Sequence, residues 1–415
     1  MLSIEPYTIG IGDRFARQGR AQLEALVRAK EAGINVFPVW NKSYREHTLI
    51  KTKPLDVRAE ADTAVRALGW TGAYYVDADH IGIKNMETFI SASDFFTIDV
   101  ADFTGQAAAA DAEESFVKAA HSFGKTLAIP GIQRPFEIGE AGLRAAARKF
   151  QLAMQEAGRV YRAIAAKKGA DNFVTEISVD ETFTAQTPVE LLLILAMIQI
   201  EGIPVQTIAP KFTGRFNKGI DYRGDLTQFE KEFDEDLSVI AFAIREFGLP
   251  PTLKLSVHSG SDKFALYPVI NRLIKRKDAA LHVKTAGTTW LEELIGLAEA
   301  GGDGLEIAKE IYREAFNRFD ELSAPYAPVL DIDKDQLPDP VMVAAWDSKT
   351  YTDTLRHVQS CQRYNPNFRQ LLHIAFKVAA EMGERFLQAL EANEPVIARN
   401  VTKNLLERHI KPIFG

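Results

Sequence analysis

LKLSVHSGSDKF at residues 253–264, followed by ALHVKTAG at 280–287, decides how the rest of the chain is read. Each is a short apolar and β-branched run that ends in small, polar and basic residues, the pattern of a buried strand whose C-terminal end opens onto a site. In the first run Lys254, Ser256 and His258 fall on one face of a period-two strand and Leu255 and Val257 on the other. In the second, His282 and Lys284 share a face opposite Leu281 and Val283. A lone strand histidine is more often a satisfied core residue than a ligand. Two neighbouring strands that aim an imidazole and an ammonium the same way point to a metal and an anion held side by side.

Working outward, the same alternation of short strand and helix fills the chain before them. Residues 6–15 read as a strand ending in Gly12, Asp13 and Arg14, 18–33 as a helix, and 34–40 as a second strand. A polar loop with Lys42, Tyr44, Arg45 and His47 leads to a helix over 56–68. GAYYVDADH at 72–80 and FFTIDVAD at 95–102 are the third and fourth strands, separated by room for a short helix only. A helix over 111–123, an irregular or hairpin insertion punctuated by Pro130, Gly131 and Pro135, and a long helix over 140–168 follow. NFVTEISVDET at 172–182 and the run 205–212 are strands five and six, with helices over 188–201 and 225–247. Strands seven and eight are the opening pair. The class is therefore α/β, and a TIM-like (β/α)8 barrel over residues 1–301 is expected, because polar strand ends recur at nearly every strand. An open doubly wound sheet would concentrate them at one crevice. Residues 302–415 keep helical periodicity, broken near 325–340, and read as a helical appendage packed on the barrel. Within it Arg369 and His373 are four apart and share a helix face, by pattern a solvated one.

The chain of 415 residues carries a net charge of -7, which argues against a nucleic-acid partner because phosphate neutralisation needs a basic surface. Its single cysteine excludes an internal disulfide and a thiolate metal centre, so any metal must sit on histidine and carboxylate. The start lacks a basic and then apolar leader, and the most apolar run, 191–200, is too short to span a bilayer. A cytoplasmic protein without membrane partners is expected. Barrels often self-associate, so a homo-oligomer is an open expectation without a stoichiometry.

The strand ends supply the chemistry. Strand three offers Asp77, Asp79 and His80; strand five offers Glu176, Ser178 and Asp180 on one face, with Glu181 next. Charged groups are rarely buried without a partner, and a divalent ion is an efficient one. An imidazole and carboxylate mixture suits Zn²⁺, Mn²⁺, Fe²⁺, Co²⁺ or Ni²⁺ without choosing among them. No GxGxxG follows the first strand, no GxxxxGK[ST] occurs and no GxSxG elbow surrounds SVHSGSD, which sets aside dinucleotide, P-loop and serine-hydrolase chemistry. Lys211, Lys263 and Lys284 are candidate anion anchors.

These blocks resemble a known family. DADH, ISVDET, KGIDYRGDLTQFE, SVHSGSDKFALYP, HVKTAGTTWLEE and RQLLHIAF, with GIGDRF at the start, are similar to the successive blocks of the tagaturonate/fructuronate epimerases of hexuronate catabolism, over most of the chain. The resemblance implies a divalent-metal-dependent 4-epimerase of a keto-hexuronate, an isomerase of carbohydrate metabolism. It implies metal ligation by His80, His258 and His282, and acid/base roles for Asp79 and Glu176, with Asp180 and Glu181 as alternatives on strand five. The substrate would meet Lys211, Ser259, Lys263, Lys284, Arg369 and His373, with Arg369 the best geometric match for a carboxylate. Two departures bear on substrate range: the segment before GDRF is shorter than in family members, and Pro210 and Lys211 stand where some have Leu and Arg.

Inverting C4 of a 2-keto sugar acid is not simple proton exchange, because that hydrogen is β to the ketone. Retro-aldol cleavage of C3–C4, rotation of the aldehyde and re-addition is the expected route. The competing expectations are a 4-epimerase of neutral ketoses such as fructose and tagatose, a metal-dependent aldolase that releases its fragments, and a non-catalytic sugar-binding protein on the same fold.

Overall fold

The computed structural model describes residues 2–123, 125–285 and 287–415, with residues 110 and 122 described by their backbone alone. Eight parallel strands close a barrel: β1 (Tyr7–Ile11), β2 (Phe37–Ser43), β3 (Tyr75–Ile81), β4 (Phe95–Asp99), β5 (Val174–Ser178), β6 (Thr207–Ala209), β7 (Lys254–His258) and β8 (Leu281–Lys284). Each pairs with its sequence neighbour, and β8 closes on β1 with Thr8 opposite His282 and Gly10 opposite Lys284. This is the TIM-like (β/α)8 arrangement the alternation predicts.

The helices that follow the barrel strands are α1 (Gly19–Glu31), α2 (Tyr44–Ile50), α3 (Pro54–Leu68), α4 (Ala110–Ala119), α5 (Gly139–Lys168), α6 (Pro188–Ile200), α7 (Leu226–Phe247), α8 (Tyr267–Lys277) and α9 (Gly287–Ala300), and further helices make up most of the chain after them. Two expectations shift. The polar stretch after β2 is the helix α2, because Ser43 and Glu46 form a reciprocal cap that satisfies its first amides. Between β3 and β4 only the 3₁₀ turn Met86–Phe89 forms. The insertion before α5 does close as a short antiparallel pair, Thr126–Leu127 with Phe136–Glu137. Among the described residues no helix is long and apolar enough to cross a membrane. The apolar α6 is instead buried nearly all round, from Leu191 to Ile198.

Period-two alternation sorts the strands into two surfaces. Leu255, Val257, Leu281 and Val283 face the helices in the main core, while Lys254, Ser256, His282 and Lys284, all buried, face into the barrel. At its base Phe95 packs with Ile4, Val39, Tyr75 and Val174. A second core is built from α9 and the chain after it, around Trp290, Tyr312, Tyr351 and Phe368. The last residues, from Leu405 to Phe414, return to the barrel core, where Phe414 lies 5.4 Å from Tyr7 between ring centroids. Gly287 opens α9 under close constraint: a Cβ there would lie 2.2 Å from the Gly260 carbonyl oxygen and 2.8 Å from His373 Cε1.

Lys254 carries a pH signature. Its Nζ donates to the carbonyls of Glu5 and, at 3.2 Å, Pro6, and burial pushes its ammonium down to about 7. In the unfolded chain a lysine keeps its proton to about pH 10.4. Unfolding therefore takes up a proton between these values, and stability rises with pH across that window. Thermal melts at pH 7 and pH 9 are expected to show a smaller rise in Lys254→Met than in the parent; equal rises would contradict the assignment.

Candidate active site

The C-terminal ends of β3, β4, β5, β7 and β8 converge on one cluster. Strand β3 reaches it through a distortion: its register against β4 shifts between Ala78 and Ile81, and His80 adopts a left-handed φ of 52°. A bulge re-aims side chains that would otherwise alternate, and a non-glycine left-handed residue stores strain of the kind found at functional sites. Asp79 and His80, adjacent in sequence, thus both turn towards the mouth. Asp79 Oδ1 lies 2.9 Å from Lys284 Nζ and 3.9 Å from His80 Nε2.

Each rim imidazole is held by a carboxylate on one nitrogen. His80 Nδ1 is 3.0 Å from Asp99 Oδ2, and His258 Nε2 is 2.8 Å from Glu176 Oε1. The two rings stand 5.2 Å apart between centroids. His258 Nδ1 comes within 3.1 Å of Asp180 Oδ2 without the alignment of a hydrogen bond. His80, His258 and Asp180 each offer a ligand atom within 4.8 Å of the others; His80, Asp99 and Glu181 form an overlapping group. An imidazole fixed by a carboxylate on one nitrogen with the other aimed at a shared point is the arrangement of a metal ligand and its supporting partner, so this donor set fits a divalent cation.

Beneath the rim Lys284 is the hub. Its ammonium contacts Asp77 Oδ2 at 2.7 Å, Asp79 Oδ1 at 2.9 Å, Glu176 Oε1 at 3.0 Å and Thr97 Oγ1 at 2.5 Å. Burial works against every charge here, and the charges hold one another in place. Burial lifts Asp77 to about 7 despite Lys284. For Asp79 and Glu176 the opposition of burial is outweighed, first by Lys284, and both stay below the usual carboxylate range. For His258 burial is likewise outweighed, chiefly by Asp180, and the imidazole rises to about 9. His80 rises well above its ordinary value against burial, through Asp79 and its bond to Asp99.

The structure distributes the expected site residues unevenly. Asp79, His80, Glu176, His258 and Lys284 meet at the mouth. His282 does not join the His80 and His258 group: it lies one layer lower, its Nδ1 2.9 Å from Thr8 Oγ1, and burial drops it to about 3, a neutral ring. Asp180 takes the third place. Alternation explains this, because residue 282 points inward two positions before Lys284, too deep in the strand to reach the rim.

The expected anion anchors are engaged by the protein itself. Lys211 Nζ donates to the Thr182 carbonyl, Ser259 Oγ to the Lys284 carbonyl at 2.7 Å, and Lys263 Nζ to Ser261 Oγ at 3.0 Å. Arg369 and His373 are not on a solvated face. They are 0% and 1% exposed, because their helix, Pro366–Ile374, is covered on that side by the loops after β6 and β7. Arg369 gives its donors to Gly219 O at 2.6 Å, Leu355 O at 2.9 Å and Asp262 Oδ2 at 2.7 Å. Asp99 and Asp262 are the residues that sequence reasoning passed over. Asp99 ends β4 and Asp262 lies in the loop after β7, but nothing local distinguishes them from surface aspartates. A cavity of about 680 Å³ between α1, α3 and the C-terminal helices is lined by Arg14 and by none of these strand-end groups.

A family model for tagaturonate epimerase matches residues 2–413. The chain is 29% identical to the tagaturonate/fructuronate epimerase of Thermotoga maritima, over 98% of this chain and 81% of that protein. Crystal structures of the fructuronate-tagaturonate epimerase UxaE from Cohnella laeviribosi share its fold. The native form superposes with a TM-score of 0.81 at 23% identity, covering 100% of this chain and 82% of that one. A glycerol complex gives 0.78 at 24%, covering 98% and 82%.

Proposed function

This chain belongs to the tagaturonate epimerase family, and from that premise we propose that it interconverts D-tagaturonate and D-fructuronate by inversion at C4, with a divalent cation held by His80, His258 and Asp180. The observation that carries the reading is the pair of carboxylate-backed imidazoles aimed at one point beside the Lys284-bound carboxylates. When bound, the cation would supply Lewis-acid polarisation of the substrate's keto group.

The remaining work falls to side chains. Asp79, kept ionised by Lys284 and His80, takes the proton of the C4 hydroxyl. The C3–C4 bond breaks, its electron pair passes into the C2–C3 enediolate, and C4 becomes an aldehyde carbon. The aldehyde turns over, C3 attacks its other face, and the new C4 oxygen recovers its proton from Glu176, which has received it from Asp79 and whose Oε2 has no partner among the described residues. Lys284 touches both carboxylates, so the proton passes from Asp79 to Glu176 through the ammonium before it is returned, and both carboxylates end ionised as they began. The helices of residues 302–415 serve as the outer wall of the site rather than as a separate module.

Metal-stripped and Mn²⁺- or Zn²⁺-loaded protein would be incubated with D-fructuronate in D₂O and the products followed by NMR. Tagaturonate formed only with metal, with no deuterium at C4, is expected. Deuterium at C4 would sink the cleavage route, an accumulating three-carbon aldehyde would make the protein an aldolase, and turnover of fructose alone would make it a neutral-ketose epimerase.

A further inference from the structure

A keto-hexuronate brings a carboxylate, and the cations expected to meet it are spent on protein groups. One cation near the mouth is not. Lys218 Nζ has no hydrogen bond or ion pair among the described residues; it lies 5.3 Å from the centroid of the Tyr326 ring, and the exposed Arg45 guanidinium lies 5.9 Å from the same ring.

The backbone around Lys218 is clamped while its side chain is left loose. Lys218 N–H donates to Val329 O at 2.9 Å. The next residue, Gly219, donates to Ser261 Oγ at 2.9 Å and accepts from Arg369 Nε at 2.6 Å. Three distant segments therefore fix the backbone that carries one half-buried ammonium, and none of them neutralises it. Arg14 is not an equal candidate, since its Nε is already 3.0 Å from Glu46 Oε1.

The surroundings are short of negative charge. Burial and then Arg14 lower the Lys218 ammonium, and Glu46 and Glu181 are the acids that oppose them. Beside Gly219 stands His373, buried, with neither ring nitrogen partnered among the described residues. A clamped, uncompensated cation next to an unsatisfied buried imidazole is a place prepared for an acceptor group. Glu181 links this place to the rim: it belongs with His80 and Asp99 to a group that could hold a cation, and its charge acts on Lys218. Lys218 stands on the loop after β6, beside the loop after β7 that follows His258, and a hexuronate's acid end extends two carbons beyond C4.

We propose that Lys218, with Arg45 and Tyr326 around it, forms the subsite that receives the substrate carboxylate and selects an acidic sugar. This rests on the epimerase reading above. A carboxylate bound equally in ground and transition states affects KM and spares kcat. The test is steady-state kinetics of the metal-loaded parent, Lys218→Met and Lys218→Arg on D-fructuronate, with thermal melting to verify folding. Lys218→Met is expected to raise KM at least tenfold with kcat within about threefold, and Lys218→Arg to recover most of the loss. A KM within twofold of the parent, or a fall in kcat with KM unmoved, overturns the subsite. If the parent turns over no uronate, the epimerase reading fails by itself. Calorimetric binding of D-fructuronate then decides the subsite: binding by the parent that weakens tenfold in Lys218→Met upholds it, and equal or absent binding overturns it. Should Lys218→Met melt early, Lys218→Gln replaces it under the same criteria.

Discussion

Lys284→Met is expected to lower kcat/KM for the uronate by at least a hundredfold while the barrel still forms. The ammonium is the counter-charge for Asp77, Asp79 and Glu176, all within 3.0 Å. A methionine of similar length fills the volume but leaves the carboxylates facing one another in a buried site. Like charges that close cannot all ionise, so the cluster takes up protons. Asp79 then loses the ionised form in which it can accept a proton, and Glu176 loses the contact through which a proton reaches it. General acid/base groups typically contribute ~10²–10⁴-fold, which sets the expected range. Lys284→Arg is not expected to rescue, because the forked guanidinium does not fit where a compact ammonium meets four oxygens. The measurement is kcat/KM with a parallel thermal melt. Activity within tenfold of the parent would remove Lys284 from the mechanism.

The second large effect concerns stability. Asp262, fully buried, binds Arg369 Nη2 at 2.7 Å, His357 Nδ1 at 3.1 Å, Thr288 Oγ1 at 2.9 Å and approaches His409 Nε2 at 3.3 Å. It ties the loop after β7 to three C-terminal segments, and Arg369 foremost holds it well below the usual carboxylate range against burial. Breaking a buried pair by removing one partner costs about 3–5 kcal/mol, because the remaining charge is stranded. Asp262→Ala should show that loss in urea unfolding. Asp262→Asn keeps the shape but turns one of the two accepting oxygens into a donor and removes the charge, while one oxygen still accepts, and should lie between. Pairing Asp262→Asn with Arg369→Met should recover part of the loss, since the stranded guanidinium is gone; additive losses would show that the pair is not coupled.

These two clusters also show where reading the chain succeeds. The alternation in KLSVH and LHVK determined that Lys254, Ser256, His258, His282 and Lys284 turn one way, and the structure has them facing into or along the barrel. Eight strands and the helices after most of them were legible for the same reason: side-chain periodicity is a local property of the backbone. The RQLLHIAF helix was legible as a helix but not as to which side it hides. Four-residue spacing says that Arg369 and His373 share a face, and it cannot say that loops from β6 and β7 cover that face.

The sequence by itself determined the barrel, the polar lining of its strands and the set of groups from which a site could be made. Tertiary structure alone decided the pairing: Lys284 meets Asp77 across 207 positions, and His258 meets Glu176 across 82. It also decided that Asp180 rather than His282 stands with the two rim histidines, and that Lys218 rather than Arg369 keeps a charge to spare. The physical reason is barrel closure. Strand order and register set the depth of each inward side chain and which remote strand faces it, and charge compensation in a buried site depends on those few ångströms.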